Sequence, residues 1–199
     1  MFGLPAHVSM YLRVHRTDGK TGSYTQTDER RARTLLTRLA PHKLFSSGPI
    51  VIGISNPFTV LNPDEVCWVE VETALETPKA LPRGLEKVER LSGREEYEAV
   101  LARQWPLWRK HSGTTSDLLE ALVEISLRSG HVLYARATGY LAHAPLVESI
   151  FGGGALVATY APHGTVYINP KCIVRTRVYH SRELVDYPQG LWMAEADDI

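Results

Sequence analysis

The feature that most constrains this 199-residue chain is an internal repeat. Residues 8–24 alternate apolar and polar side chains on both sides of Asp18-Gly19, and residues 119–134 do the same around Ser129-Gly130. Such a pair between two alternating segments predicts a β-hairpin, because the tight turn needs a residue with positive φ. The sequence therefore predicts two hairpins of the same kind, far apart in the chain.

The segments after the two hairpins also correspond. A helix capped by Thr27 or Asp28 is predicted after the first hairpin, and a shorter one beginning at Pro145 after the second. We expect Phe45 and Phe151, which follow these helices, to occupy matching buried positions. Apolar strands are predicted at 50–54 and 156–160, and each copy then reaches an Asn-Pro corner, Asn62-Pro63 or Asn169-Pro170, before its last strand.

These correspondences predict an α+β fold of two tandem, diverged ββαββ units with mainly antiparallel sheets. A pseudo-twofold would relate the units, and a helical linker would join them. The expected boundaries are 1–75 for the first unit, 76–115 for the linker, 116–182 for the second unit and 183–199 for a C-terminal tail.

Composition indicates the kind of cellular compartment in which the chain is expected. Two well-separated cysteines, Cys67 and Cys172, predict neither a disulfide framework nor a zinc knuckle and favour a reducing cytoplasm. No export signal or membrane-spanning run is visible, so we expect no membrane association. Residues 1–50 contain eight basic and three acidic side chains, whereas residues 51–100 contain five basic and ten acidic ones. This asymmetry favours internal pairing of the two regions, or head-to-tail contact between copies, as readily as binding of an external anion.

Catalytic signatures are absent from the sequence. The glycines Gly152–Gly154 follow a predicted helix and precede a strand, which is the reverse of a phosphate-binding loop. The histidines lack metal-ligand spacing, and neither cysteine lies in a nucleophile motif. We therefore assign no catalytic residue, cofactor or metal, and expect a non-enzymatic protein. A metal site formed across the copies by His143, His163 and Cys172 stays open as an alternative.

The leading functional hypothesis is a binding or assembly module that engages a protein partner or a second copy of itself. Trp105, Trp108 and Arg109 are its predicted contacts, together with the duplicated sheet surfaces, because two indoles beside a proline and a polar rim resemble an interface anchor. The alternative for the tryptophans is that they cover the sheets of their own chain.

Two further hypotheses come from other functional classes. The first is a small-ligand or enzymatic site in the cleft between the units, with Tyr160, His163, Asn169, Arg175 and Asn62 as candidate residues. The second is nucleic-acid binding by the basic first unit through residues such as Arg30, Arg31 and Arg33. We expect no nucleic-acid binding at physiological salt, because strand and helix periodicity spreads the basic residues over more than one side.

Overall fold

The computed structural model describes residues 8–46, 48–53, 58–81, 84–110, 118–140 and 154–181. Within them the chain forms a large sheet, a separate two-stranded sheet and two α-helices. The strands are β1 (Met10–Arg16), β2 (Thr21–Gln26), β3 (Ile50–Ile52), β4 (Thr59–Leu61), β5 (Val66–Thr73), β6 (Leu85–Arg90), β7 (Leu118–Leu127), β8 (Val132–Tyr140), β9 (Leu156–Tyr160), β10 (Gly164–Ile168) and β11 (Ile173–His180). The helices are α1 (Glu29–Arg38) and α2 (Arg94–Lys110).

The nine-stranded sheet has the order β11-β7-β8-β6-β9-β10-β5-β1-β2, and β3 pairs with β4 outside it. Its ladders are antiparallel except between β6 and β9, which run parallel and are bridged at Glu89 and Thr159. The prediction of two ββαββ units joined by a helical linker is therefore wrong. Strand β10 pairs with β5 from the first half of the chain, and β6 from the expected linker lies in the middle of the sheet.

The local elements of the repeat are confirmed where the structure describes them. The hairpins β1-β2 and β7-β8 turn through Gly19 and Gly130, whose φ values are 79° and 81°. Both Asn-Pro corners begin a short 3-10 turn, Pro63–Glu65 or Pro170–Cys172, in which the Asn side chain accepts a hydrogen bond from the backbone two residues later. The second predicted helix, at Pro145, lies outside the described residues, and so does Phe151.

One face of the sheet is covered by α1. Asp28 caps this helix by accepting a hydrogen bond from the Arg31 amide, and Glu29 pairs with Arg33 one turn later. Ala32 and Leu36 then pack on a core that contains Phe45, in the buried position expected for it. Tyr167 and Val157 from the second half of the chain complete this core, so the two halves share it.

On the opposite face of the sheet, strands that are far apart in the sheet order lie close together. Trp68 on β5 belongs to one core cluster with Ile125 and Leu127 on β7 and contacts His131 in the β7-β8 turn edge-on, although four strands lie between β5 and β7 in the sheet order. This contact requires strong coiling of the sheet, which the right-handed twist of strands favours. At the outer side of β7, α2 packs Tyr97 and Trp108 against Leu122. No helix among the described residues is long and apolar enough to cross a membrane.

Candidate functional site

A cleft of about 1060 Å³, hereafter the Glu70 cleft, lies along the described residues. Strands β1, β5, β6 and β8 contribute Arg13, Glu70, Arg90 and Arg136 to its wall. The extended segment 73–79, one face of α2 and the β9-β10 hairpin complete it. The residues from α2 are Glu96, Val100 and Arg103, whose spacing of four and three places them on one side of the helix.

Glu70 is the buried centre of the polar network in this cleft. Its carboxylate accepts hydrogen bonds from Arg13 Nη1 at 2.9 Å and Arg90 Nη1 at 2.5 Å, and Trp68 Nε1 lies 3.3 Å from it. The Nε2 atom of His15 lies 3.5 Å from the same carboxylate, and the His15 ring stacks on Trp68 with centroids 4.0 Å apart. Two guanidinium groups, an indole N–H and an imidazole ring, from three strands, therefore converge on one acidic side chain.

The network fixes the protonation state of Glu70. Burial by itself raises the pKa of a carboxyl group, but the nearby His15 imidazole and the charge and hydrogen bond of Arg90 outweigh it. The pKa of Glu70 is consequently held far below the usual range of a glutamate. Glu70 therefore stays ionised at neutral pH and anchors the two guanidinium groups instead of transferring protons.

Tyr160 lies beside this network at the end of β9. Burial, with the nearby carboxylates of Glu70 and Glu72, raises the pKa of its phenol well above the ordinary value, so the hydroxyl keeps its proton. That hydroxyl donates to Glu72 Oε1 at 3.2 Å, and the guanidinium of Arg90 lies 5.5 Å from the ring centroid. Tyr160 thus joins the network as a hydrogen-bond donor and as an aromatic surface for a cation.

The position of the Tyr160 ring depends on its cross-strand neighbour Gly164. A Cβ atom at Gly164 would lie 2.1 Å from the ring, so the ring folds across a position that only glycine leaves open. An aromatic ring laid over a cross-strand glycine is a recurring way to fill the space of the missing side chain. Gly164 therefore sets the direction in which Tyr160 faces the cleft.

The five cleft residues predicted from sequence are not gathered in one place. Tyr160 and His163 line the Glu70 cleft, and His163 is exposed at its rim. Arg175 is exposed on β11, where it pairs with Glu124 at 3.0 Å. Asn62 is exposed at the first corner, whereas Asn169 is fully buried at the second.

The two Asn-Pro corners contact each other directly. The amide nitrogen of Asn169 donates to the carbonyl oxygens of Pro63 and Val66, at 3.1 and 2.9 Å. Lys171 pairs with Asp64 at 2.8 Å across the same contact. Asn169 therefore serves as the hydrogen-bond donor that joins the two corners.

The predicted partner residues lie on α2 with different degrees of exposure. Trp108 is buried against Leu91, Tyr97 and Leu122, in agreement with the alternative that it covers the protein's own sheet. Trp105 is 36% exposed and contacts Tyr179 edge-on, with ring centroids 5.2 Å apart. Arg109 is exposed.

The basic residues of the first fifty are partly neutralised within the chain. Arg13 pairs with Glu70 and Glu72 and so joins the basic region to the acidic one. Arg16 pairs with Asp18, and Arg33 with Glu29.

Sequence reasoning missed Arg13, Glu70 and Arg90 as a site. The available signal was the alternation of charged residues with buried valines, as in Val69-Glu70-Val71-Glu72. A charge repeated on one face of an otherwise apolar strand indicates a polar partner on a neighbouring strand. The partner itself depends on strand register, which local sequence does not specify.

Among the described residues, no group of three or more His, Cys, Asp and Glu side chains is arranged to hold a metal ion. No protein-family model matches the chain, and no curated protein or solved structure matches it either.

Proposed function

We infer that this protein binds a small polar molecule in the Glu70 cleft. The observation that carries the proposal is a cleft of about 1060 Å³ in which a buried carboxylate holds two arginines beside an aromatic ring. Binding sites for small molecules are typically concavities of roughly 300–1,000 Å³ with a few oriented polar groups. The volume and the fixed donors of the Glu70 cleft suit a ligand of metabolite size.

Binding without catalysis fits the protonation states of the central groups. A general acid or base works best with a pKa near the operating pH. The pKa of Glu70 is shifted far down and that of Tyr160 far up, so neither group exchanges protons readily at neutral pH. Their role in the proposal is to hold Arg13 and Arg90 in place for recognition.

The test uses two matched tryptophan substitutions in the segment between β5 and β6. Ala74 is exposed and lines the cleft, whereas Ala80 is exposed outside it. We expect a fraction of the cell's small metabolites to raise the melting temperature of the wild-type protein and of Ala80→Trp, but not of Ala74→Trp, whose indole would fill the cleft mouth. The proposal fails if no fraction raises the wild-type melting temperature, or if Ala74→Trp responds like the wild type.

The two cysteines support the cytoplasm as the compartment in which this binding takes place. Both are buried free thiols, and burial, together with the neighbouring Cys67, raises the pKa of Cys172 to about 12. A thiol with such a pKa is poorly reactive, as expected of cysteines that serve as small apolar side chains in a reducing environment.

A second candidate function is the docking of a protein partner, or of a second copy, at the end of α2. Trp105 and Leu107 are 36% and 49% exposed, and Arg109 is exposed near them. A partly exposed indole with a polar rim is typical of an interface anchor. The buried Trp108 does not contribute to such a surface.

Substitutions of the two tryptophans distinguish a role of α2 in docking from a role in folding. We expect Trp108→Ala to reduce the free energy of unfolding by about 3–5 kcal/mol, because it empties a packed site. Trp105→Ala is expected to cost less than about 1.5 kcal/mol while weakening association. Denaturation and sedimentation velocity on both variants measure this, and association unchanged by Trp105→Ala would rule out the α2 surface.

A further inference from the structure

The Glu70 cleft contains more hydrogen-bond donors than its own carboxylates use. A guanidinium group has five N–H donors and no acceptor. Arg90 commits one N–H to Glu70, and Arg136 commits one to Glu120. Lys79 and Arg103, which also line the cleft, make no side-chain hydrogen bond or ion pair with any residue that the structure describes.

The acidic side chains of the cleft are largely occupied. Glu70 holds Arg13 and Arg90, and Glu89 pairs with Lys87 at 2.6 Å. Glu96 accepts from the backbone and hydroxyl of Ser92, at 2.6 and 2.7 Å. Within the described part of the cleft, Glu76 is the acidic group without a polar partner, and it is exposed. Lys79 and Arg103 therefore keep N–H donors that no described acidic group of the cleft uses.

Among these donors, Arg90 has the side chain that is best oriented in advance for ligand binding. Its side chain is 28% exposed and is held from one end by Glu70, so the rest of its fork has a fixed direction. Less conformational freedom is lost when a ligand binds a group that is already fixed. Planar guanidinium forks match the paired oxygens of carboxylates and phosphates, and partial burial strengthens the pairing because water competes less.

Resting on the proposed function, we propose that the ligand of the Glu70 cleft carries an anionic oxygen group, a carboxylate or a phosphate. This group accepts hydrogen bonds from the unused donors of Arg90. Arg103 on α2 and Lys79 on the segment before β6 supply the compensating charge at the rim. The ligand supplies the acceptors that this part of the cleft lacks.

The probes are citrate, inorganic phosphate and neutral glucose, each measured by calorimetry against the full chain in 50 mM salt. We expect citrate or phosphate to bind at least about tenfold more tightly than glucose, and more weakly as salt is raised. Tighter binding of citrate identifies a polycarboxylate as the ligand class, and tighter binding of phosphate identifies a phosphoester. Binding of glucose as tight as that of both anions overturns the proposal, as does the absence of anion binding below about 10 mM.

Two substitutions on α2 localise the anion. Arg103→Gln removes a charge that lines the cleft, and Arg94→Gln removes one on the same helix that does not. Both side chains are exposed, so both variants are expected to fold. Arg103→Gln should weaken anion binding by about tenfold, and Arg94→Gln by less than twofold. Equal effects of the two substitutions would contradict the assignment.

The Ala74→Trp variant separates this inference from the proposed function. If a neutral molecule binds, is blocked by Ala74→Trp and is indifferent to Arg103→Gln, the cleft is a ligand site and only the anionic class is wrong. If citrate and phosphate bind Ala74→Trp as they bind the wild type, both the location and the class are wrong.

Discussion

Glu70 shows how a single buried charge can organise a site. Its side chain is 6% exposed, and it lies on the face of β5 that also carries Trp68 and Glu72. An unpaired carboxylate there would be strongly unfavourable, so its tolerance depends on Arg13 and Arg90. In return the carboxylate restrains two long side chains that would otherwise be mobile.

The substitution Glu70→Gln keeps the shape of the side chain and removes its charge. Arg13 and Arg90 would then share a neutral group, and we expect a loss of about 3 kcal/mol in the free energy of unfolding at pH 7. Urea denaturation measures this loss. Glu76→Gln is the matched control, because Glu76 is exposed, and it should change stability by less than about 0.5 kcal/mol.

The pH dependence of that loss has a defined sign. The pKa of Glu70 is lower in the folded state than in the unfolded chain, so its stabilisation is fully present above the ordinary glutamate pKa, about 4.3. As the pH falls below that value toward the folded pKa, the stabilisation is progressively lost. The difference between the wild type and Glu70→Gln should therefore shrink between about pH 5 and pH 3. A difference that stays constant over that window would contradict the assigned ionisation.

At the scale of elements, the two Asn-Pro turns have similar geometry and different surroundings. Each Asn caps a 3-10 turn, but Asn62 is exposed whereas Asn169 is fully buried and bonded to the first corner. Asn62→Ala should cost about 0.5–1 kcal/mol through the lost cap. Asn169→Ala should cost about 2–3 kcal/mol, because it also removes the two hydrogen bonds to the carbonyl oxygens of Pro63 and Val66. Equal losses in chemical denaturation would show that the contact between the corners contributes nothing to stability.

The elements also show what sequence can predict. Both hairpins, α1 and both corners were predictable because each depends on local chemistry, such as glycine at positive φ or Asp28 as a helix cap. Strand β6 was assigned to a helical linker, since its charged sequence LEKVER has little of the apolar alternation that indicates a strand. Its place between β8 and β9 is set by tertiary pairing.

The strand order of the sheet could not be predicted from such local signals, for the same reason. The repeat predicted that like elements would pair within each half. The pairing of β10 with β5 joins Val166 to Glu70 and Tyr167 to Val69, across nearly a hundred residues of chain. Nothing in either strand alone specifies that partner. The Glu70 cleft was missed with it, because the cleft is formed by that pairing and by strand β6, which lies two strands from β10 in the sheet order.

At the scale of the whole molecule, the strand pairing of the sheet bears on the expected boundary between residues 75 and 76. The question is whether residues 1–75 fold without the rest of the chain. A fragment of residues 1–75 would lose the pairing of β5 with β10, together with Tyr167, Val157 and Ala155 from the core under α1. It would also expose the edge of β5, and an unpaired strand edge favours aggregation. We therefore expect the isolated fragment to show no cooperative unfolding transition, whereas the full chain unfolds in one. Circular dichroism during urea denaturation, and the dispersion of amide signals in a proton–nitrogen NMR spectrum, distinguish these states. A fragment that unfolds cooperatively with dispersed signals would identify residues 1–75 as an independent domain, and the shared core would then be a contact between two domains that fold separately.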